Sequence, residues 1–293
     1  MLSEQVRARL ALLRRTLRPV RMPAALPRDA GPASDPYGTA ACPPDASGLP
    51  EGREVVRASG GHWLIEQTLE SLWPAAAASL ARGGPRLRQA AGAADDLPDE
   101  LRELGRAFAH QVIFLDLETC GLSGAMIFLA GLLHDSPRGL LLTQLLARNY
   151  AEEQPLLESL WEYVAQRDVL VTFNGKSFDW PLIVDRSTLH RLIAVPDHRH
   201  RAAGAPPRDD AWHCDLLHHA RRRWRGQLPN CRLQTLERYI CGRHRGDDIP
   251  GSEIPAAYHD FVRTGQCPAM HAILRHNALD LVTLLQLALC IVP

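Results

Sequence analysis

The run QVIFLDLETCGL, residues 111–122, is an apolar strand pattern that ends in two acidic residues. Alternate residues of a strand point to the same face, so Asp116 and Glu118 project together. Two like charges in a mostly buried strand repel each other and lose hydration, and a shared cation or a shared proton usually compensates for this cost. The simpler alternative is an acidic pair at a fraying strand end.

Apolar runs and amphipathic stretches alternate from this strand to the end of the chain. Three strands, a helix, a fourth strand and a second helix come in that order, and a short strand near Asp215 and a final helix complete the pattern. The expected bounds, apart from the short strand, are 111–118, 125–133, 139–147, 151–167, 168–174, 177–192 and 274–291. This order predicts an α/β fold with a mixed sheet, three antiparallel strands and then parallel strands, flanked by helices.

Residues 1–107 are interpreted as an N-terminal extension, and residues 108–293 as the main domain. The extension contains a surface helix, a linker with seven prolines, a hairpin around Gly60 and Gly61, and two helices. Their expected bounds are 3–18, 23–50, 53–68, 76–82 and 97–107. The basic start is similar in composition to a transit peptide, but it lacks the uncharged apolar core of a secretory signal.

The composition is that of a globular protein and excludes several classes. Of the 293 residues, 46% are hydrophobic and 23% charged, and 33 basic residues balance 33 acidic ones, so any nucleic-acid surface must be local. No uninterrupted apolar stretch reaches the roughly 18 residues of a membrane span. The seven cysteines contain no CxxC pair, which argues against a disulfide framework or a structural zinc site and favours the cytoplasm.

Two further acids stand where they can join the first pair. Asp179 follows FNG (173–175) in the first turn of a helix, where both a capping acid and a ligand fit the pattern. Lys176, the single lysine of the chain, stands three residues before it. Asp280 lies one helical turn after His276, so the two share a face of the last helix. A neutral imidazole there can take a proton from water near neutral pH.

Carboxylates that converge with a histidine and without cysteine form a hard oxygen-ligand site. Such a site suits Mg²⁺ or Mn²⁺ better than zinc, and two ions about 4 Å apart stabilise both the attacking and the leaving oxygen of a displacement at phosphorus. The residues therefore indicate phosphodiester hydrolysis. Asp215 is interpreted as a structural neighbour of this site and not as a fifth ligand.

Three motifs resemble those of the four-acid (DEDD) exonuclease superfamily with the ribonuclease-H-like fold. They are DLETCGL (116–122), FNGKSFD (173–179) and HNALDLVTL (276–284). The segments LPNCRLQTLERYICG (228–242) and RGDDIPGSEIP (245–255) narrow the resemblance to the YprB-like ribonuclease-H-like proteins, over roughly residues 108–291.

This resemblance implies a 3′-to-5′ exonuclease that uses two metal ions. By their places in the motifs, the implied metal ligands are Asp116, Glu118, Asp179 and Asp280, and the implied general base is His276. The turn after the first motif departs from the pattern, because Cys120 stands where Thr is more usual.

Residues 186–245 contain 13 arginines against 5 acidic residues, a basic stretch inside a neutral chain. The densest part, ARRRWR (220–225), offers phosphate contacts with a stacking surface, a combination used on single strands. The predicted nucleic-acid contacts are Arg221, Arg222, Arg223, Trp224, Arg225 and Lys176. The alternative is a solvated helix face whose tryptophan packs in the core. Phe178 and Trp180 either stack on a base or pack under the helix.

The sequence favours a metal-dependent nuclease that acts on DNA, single-stranded or free-ended, in repair or nucleic-acid processing. A second hypothesis is an exonuclease that trims RNA. The third is a catalytically weak nucleic-acid-binding adaptor for a helicase, because members of the resembling family are associated with helicase partners. No membrane partner is expected. The intact set of four acids favours an enzyme over an adaptor.

Overall fold

The computed structural model describes residues 48–93, 96–121, 125–192, 211–246 and 248–292. The predicted N-terminal helix (3–18) and nearly all of the predicted linker (23–50) lie outside the described residues.

A mixed sheet of seven strands forms the centre of the described chain. The strands are β1 (Arg53–Arg57), β2 (Gly60–Thr68), β3 (Val112–Thr119), β4 (Ile127–Ser136), β5 (Gly139–Leu146), β6 (Val169–Thr172) and β7 (Trp212–Asp215). Across the sheet they follow the order β1-β2-β5-β4-β3-β6-β7. The pairs from β1 to β3 are antiparallel, whereas β3, β6 and β7 run parallel. The predicted mixed sheet is confirmed.

Helices cover both faces of this sheet. In the described residues they are α1 (Leu69–Leu72), α2 (Ala76–Ala93), α3 (Asp99–Ala107), α4 (Glu153–Ala165), α5 (Asp179–Leu189), α6 (Leu216–Trp224), α7 (Leu233–Tyr239), α8 (Ile254–Thr264) and α9 (Pro268–Cys290). A short 3₁₀ helix, Tyr150–Glu152, precedes α4.

Strand β3 lies inside the sheet and is buried on both faces. Val112 and Phe114 pack in the core cluster that includes α2, α3, α6 and much of α9, whereas Ile113 and Leu115 pack in the cluster that includes α4, α5 and α8. The sequence of this strand is therefore a continuous apolar run, which is typical of a strand buried on both faces. Its polar positions begin only at Asp116, near its carboxyl end.

The predicted hairpin is present as β1 and β2, and it joins the main sheet. Strand β2 pairs with β5 from Trp63 opposite Leu146 to Thr68 opposite Leu141. The sequence placed this hairpin in an N-terminal extension, because the pattern of a strand does not show which other strand it will pair with. In the structure the hairpin extends the antiparallel side of the sheet by two strands.

Helix α2 is longer than the sequence predicts. Gly83, Gly84 and Pro85 are helix breakers, so the expected end is at residue 82, but the helix continues through them to Ala93. A Cβ atom added to Gly83 would lie 2.9 Å from the Cβ atom of Leu289 on α9. Close packing against α9 explains why glycine is used there, and this tertiary contact outweighs the local propensity.

Helix α9 begins at Pro268, earlier than the predicted residue 274. Proline is favoured in the first helical turn, where its missing N–H group costs no hydrogen bond. By length and composition alone this helix could cross a membrane, but 72% of its apolar window is buried inside the described chain. Its apolar character is that of a core helix.

Candidate functional site

Asp116 and Glu118 lie at the carboxyl end of β3, on the face that α9 covers. Burial raises the pKa of Asp116 well above its usual range, and the charges of Asp280, Glu118 and Asp179 raise it further. Burial likewise raises the pKa of Glu118 to about 8, with His276 opposing the rise and Asp280 adding to it. Asp116 therefore lies where the charges of the other three predicted acids act on it.

Asp179 is the first residue of α5 and faces back toward β3. Its carboxylate lies near its own backbone N–H group and that of Leu117, and both groups lower its pKa. Burial is the main cause that raises its pKa to about 7, and the charge of Asp215 adds to the rise. The N-cap residue is Phe178, so Asp179 is not a capping acid, and its place in the first turn holds it against the strand that carries the first two acids.

Asp215 fixes the turn from which Asp179 projects. Its carboxylate accepts hydrogen bonds from the backbone N–H groups of Asn174 (2.8 Å), Lys176 (3.2 Å) and Leu217 (3.1 Å). Asn174 has the left-handed φ of 66°, which asparagine tolerates better than most residues. Asp215 thus caps α6 and ties the β6–α5 turn to β7, as expected of a structural residue.

Asp280 and His276 lie one turn apart in the middle of α9. The Nε2 atom of His276 is 3.5 Å from Oδ2 of Asp280, and its Nδ1 atom is 2.8 Å from Oδ1 of Asp248. Burial alone would lower the pKa of His276, but the hydrogen bond with Asp248 and the charges of Asp280 and Glu118 raise it above its usual value. The imidazole is therefore held between two carboxylates.

Arg245 is a buried cation that the sequence analysis did not place at the site. Its guanidinium donates to Oδ1 of Asp280, to Glu237 (2.7 Å) and to Asp248 (3.2 Å). Its side chain is only 6% exposed. Both Arg245 and Asp248 stand in the segment RGDDIPGSEIP, which the sequence analysis used only as a family signature.

Asn277 is a second group that the sequence analysis missed. Its Nδ2 atom donates to Oδ2 of Asp116 (2.9 Å) and to the backbone carbonyl of Asp116 (3.2 Å), and its Oδ1 accepts from Gln144 (3.0 Å). Gly131, which pairs with Asp116 across the sheet, leaves room for this amide, since a Cβ atom there would lie 2.0 Å from Asn277 Oδ1. The sequence feature that could have indicated a role for Asn277 at the site was its position next to His276 in the third motif.

The predicted nucleic-acid residues of α6 divide into two groups. Arg221, Arg222 and Arg225 are exposed. Arg223 donates to the carbonyl of Ile291 (3.0 Å) and lies over the ring of Trp224. Trp224 itself is 8% exposed and packs in the core. The prediction that Trp224 offers a stacking surface to nucleic acid is therefore wrong. Helical spacing from Leu217 and Ala220 places it on the buried face of α6.

The charge of Lys176 is held in an ion pair and is not left unpaired toward solvent. Its ammonium donates to Oε1 of Glu100 on α3 (2.5 Å), and His219 lies 2.9 Å from the other oxygen. Burial alone would raise the pKa of Glu100, but its hydrogen bonds with His219 and Lys176 lower it to about 2. The charge of Lys176 is therefore compensated within the protein. Beside Asp179, Phe178 is exposed and Trp180 is buried.

The four acids suit a divalent cation by their chemistry. They offer only oxygen donors, and burial and like charge raise the pKa values of three of them, a cost that a bound cation would relieve. A tighter group of ligand-type residues exists in the described residues, namely Glu100, Cys214 and His219. Lys176 already places a positive charge there, so that group is a poor cation site.

Comparisons with known proteins show what this chain is similar to. A sequence model of the RNase H superfamily matches residues 113–291. The "Uncharacterized protein YprB" of Bacillus subtilis (strain 168) is 32% identical over 185 residues, which are 61% of this chain and 41% of that protein, so the match spans less than half of the relative's length. The structure of the family B DNA polymerase from the hyperthermophilic archaeon Pyrobaculum calidifontis is 17% identical with a TM-score of 0.46, over 60% of this chain and 24% of that chain. Because the superfamily match covers more than half of the sequence, the predicted resemblance is confirmed, and this chain belongs to the RNase H superfamily.

Proposed function

We propose that this chain is a metal-dependent 3′-to-5′ exonuclease that hydrolyses phosphodiester bonds of DNA, single-stranded or free-ended, in cytoplasmic DNA repair or nucleic-acid processing. Members of the RNase H superfamily are usually nucleases and generally use divalent metals. The observation that carries the proposal is the position of Asp116 at the end of β3, where burial and the charges of Asp280, Glu118 and Asp179 raise the pKa of its carboxyl group. Such an arrangement is costly unless a cation is shared.

Each acid has a role in this proposal. Asp116, Glu118, Asp179 and Asp280 would hold two ions, Mg²⁺ or Mn²⁺, which when bound stabilise the attacking and the leaving oxygen at phosphorus. Asn277 orients Asp116, and the Leu117 N–H group orients Asp179. Asp280 is bound by Arg245 through Oδ1, so it serves as a ligand through Oδ2 or after the guanidinium moves.

His276 is the residue that would accept a proton from water. Asp248 holds its Nδ1 atom, which leaves Nε2 directed at Asp280 and the other carboxylates. A carboxylate partner at Nδ1 fixes the ring orientation and strengthens the base, as in many hydrolases. A metal ligand is replaced first and His276 later, because loss of a general base can be measured only if the site cleaves nucleic acid.

The test uses a matched pair of end-labelled single-stranded DNA and RNA oligonucleotides with Mg²⁺, Mn²⁺ or EDTA. The wild-type protein is compared with Asp116→Ala, which removes a ligand and also relieves carboxylate repulsion, so it is expected to fold. We expect a ladder that shortens from the 3′ end, needs metal, and is abolished in the variant. Cleavage that persists in Asp116→Ala would rule out the proposed site, and faster shortening of RNA would favour the RNA-trimming hypothesis.

The adaptor hypothesis has less support. Loss of one of the four acids would favour it, but all four are present, and the charges of the other three act on Asp116. Nothing in the fold of the described residues or in the relatives supports the helicase partner that the resemblance implied. Binding of either oligonucleotide without any cleavage would return the adaptor to consideration.

A further inference from the structure

The segment between α6 and Arg245 forms two cavities that neighbour each other. The outer cavity, of about 490 Å³, is lined by residues 221, 225, 226 and 228–231. The inner cavity, of about 380 Å³, is lined by residues 229, 234, 235, 237–239, 243–245 and 248. Pro229 lines both cavities, so they are adjacent to each other.

The inner cavity adjoins the carboxylate site directly. Arg245 and Asp248 form part of its wall, and they are the residues that contact Asp280 and His276. A strand that lies in this cavity would contact Arg245 and Asp248, which in turn contact Asp280 and His276.

The chemistry of the inner cavity suits a nucleotide. Tyr239 is 43% exposed, and the guanidinium carbon of Arg238 lies 5.7 Å from the centre of its ring. His244 is exposed on the same wall. The two acids of the cavity, Glu237 and Asp248, both form ion pairs with Arg245, and Glu237 also lies 3.5 Å from Arg243. An exposed aromatic ring beside cations is the combination that binds single strands.

The outer cavity continues the positive surface away from the site. Arg221 and Arg225 are exposed on its wall, no acidic residue lines it, and within the described ranges neither arginine makes an ion pair. Arg222, between them, does not line the cavity. The cavity therefore presents two of the predicted arginines for phosphate contacts.

We infer that the two cavities form one binding track for a single strand of nucleic acid. Tyr239 stacks on a base near the carboxylates, Arg238 and His244 contact the adjacent phosphates, and Arg221 and Arg225 contact phosphates farther along the strand. This inference rests on the proposed function and adds the path of the substrate to it. It also replaces Trp224, which is buried, with Tyr239 as the stacking residue.

The experiment measures binding of fluorescent oligothymidines of about 4 and about 12 nucleotides, within the range of site sizes of single-strand grooves. All variants carry Asp116→Ala, so that the strand stays intact, and are compared at several salt concentrations. Tyr239→Ala is expected to weaken binding of both lengths about 10-fold, and Tyr239→Phe to retain it. Arg225→Ala is expected to weaken only the longer strand and to lower the salt slope by about one.

The matched controls remove the same groups elsewhere. Tyr150→Ala removes an exposed tyrosine and Arg82→Ala an exposed arginine, and neither lines the two cavities. Effects of Tyr239→Ala and Arg225→Ala no larger than these controls, with binding by the Asp116→Ala protein and cleavage by the wild type intact, would overturn the track and leave the proposed function standing. Tighter binding of a duplex than of the single strand would also overturn it. Absence of binding by the Asp116→Ala protein and of cleavage by the wild type would reject both.

Discussion

Asn277 connects the first motif to the last helix through one side chain. It donates to the carboxylate and to the backbone carbonyl of Asp116, and it accepts from Gln144 on β5. Gln144 also donates to the carbonyl of Leu274, so the amide pair bridges β5 and α9. The orientation of Asp116 therefore depends on a residue that is itself fixed at both ends.

Replacement of Asn277 by alanine should weaken metal binding. The change removes both hydrogen bonds to Asp116, and loss of such an orienting partner costs about 10- to 100-fold in metal affinity. Isothermal titration with Mn²⁺ measures the effect. The control is Asn149→Ala, which removes the amide that caps the short 3₁₀ helix before α4. This variant should bind Mn²⁺ as tightly as the parent protein. Equal affinities in the two variants would contradict the orienting role.

Gly131→Ala should reach the same site from the sheet. The new Cβ atom would lie 2.0 Å from Asn277 Oδ1, so the amide or the strand must move, and we expect a loss of about 1–3 kcal/mol of unfolding free energy. Urea unfolding measures this loss. A Cβ atom at Gly251 meets nothing within 4 Å, so Gly251→Ala should stay within about 0.5 kcal/mol of the parent protein. Similar stability in both variants would show that the amide can move without cost.

The pairing of α2 with α9 shows how packing of whole elements overrides local propensity. Helix α2 contains Gly83, Gly84 and Pro85 yet runs unbroken to Ala93. Gly83 lets the helix approach Leu289 of α9, the helix that carries His276, Asn277 and Asp280. The N-terminal part of the chain thus supports the site through α9.

The same substitution at two glycines of α2 should have opposite effects. Gly83→Ala should destabilise the protein by about 1–3 kcal/mol, because its Cβ atom would lie 2.9 Å from that of Leu289. Gly92→Ala meets nothing within 4 Å and should stabilise by up to about 1 kcal/mol through helix propensity. Thermal and urea unfolding of both variants measure the difference. A stabilising effect at Gly83 would mean that α2 does not rely on close contact with α9.

At the scale of the whole molecule, the buried carboxylates of the site lower the folding stability of the protein. Burial and the charges of neighbouring acids raise the pKa values of Asp116 and Glu118, burial and the charge of Asp215 raise that of Asp179, and the pKa of His276 is raised by its carboxylate neighbours. Each group then binds protons more tightly in the folded chain than in the unfolded one. By linkage, folding stability falls as pH rises through the interval between the two values.

The contribution of the carboxylate site to the stability of the metal-free protein should therefore fall as the pH rises from about 5 to about 8. For Glu118 the loss begins near the ordinary value of 4.5 and is complete above the folded value of about 8, and for Asp179 it runs from 3.8 to about 7. Urea unfolding in EDTA across this range measures the slope. Glu118→Gln should flatten it, and Mg²⁺ should restore stability at pH 8. A slope unchanged by Glu118→Gln would contradict the raised pKa.

Several features of the fold and of the site follow from the sequence by itself, because they depend on neighbouring residues. The two-residue period of a strand places Asp116 and Glu118 on one face, and the four-residue spacing of a helix places His276 and Asp280 on one face. The order of apolar runs gives the mixed sheet, and the three motifs give the superfamily, which the comparisons confirm.

Only the tertiary structure decides the contacts between distant positions. The hairpin joins β5, Arg245 meets Asp280, and Asn277 meets Asp116 across 161 positions of the chain. Trp224 faces the core and Tyr239 faces solvent, although both stand in the same basic stretch. The physical reason is that the periodicity of a strand or helix depends on residues that are near one another in the sequence. The partner that a side chain meets depends instead on how all the helices and strands pack together.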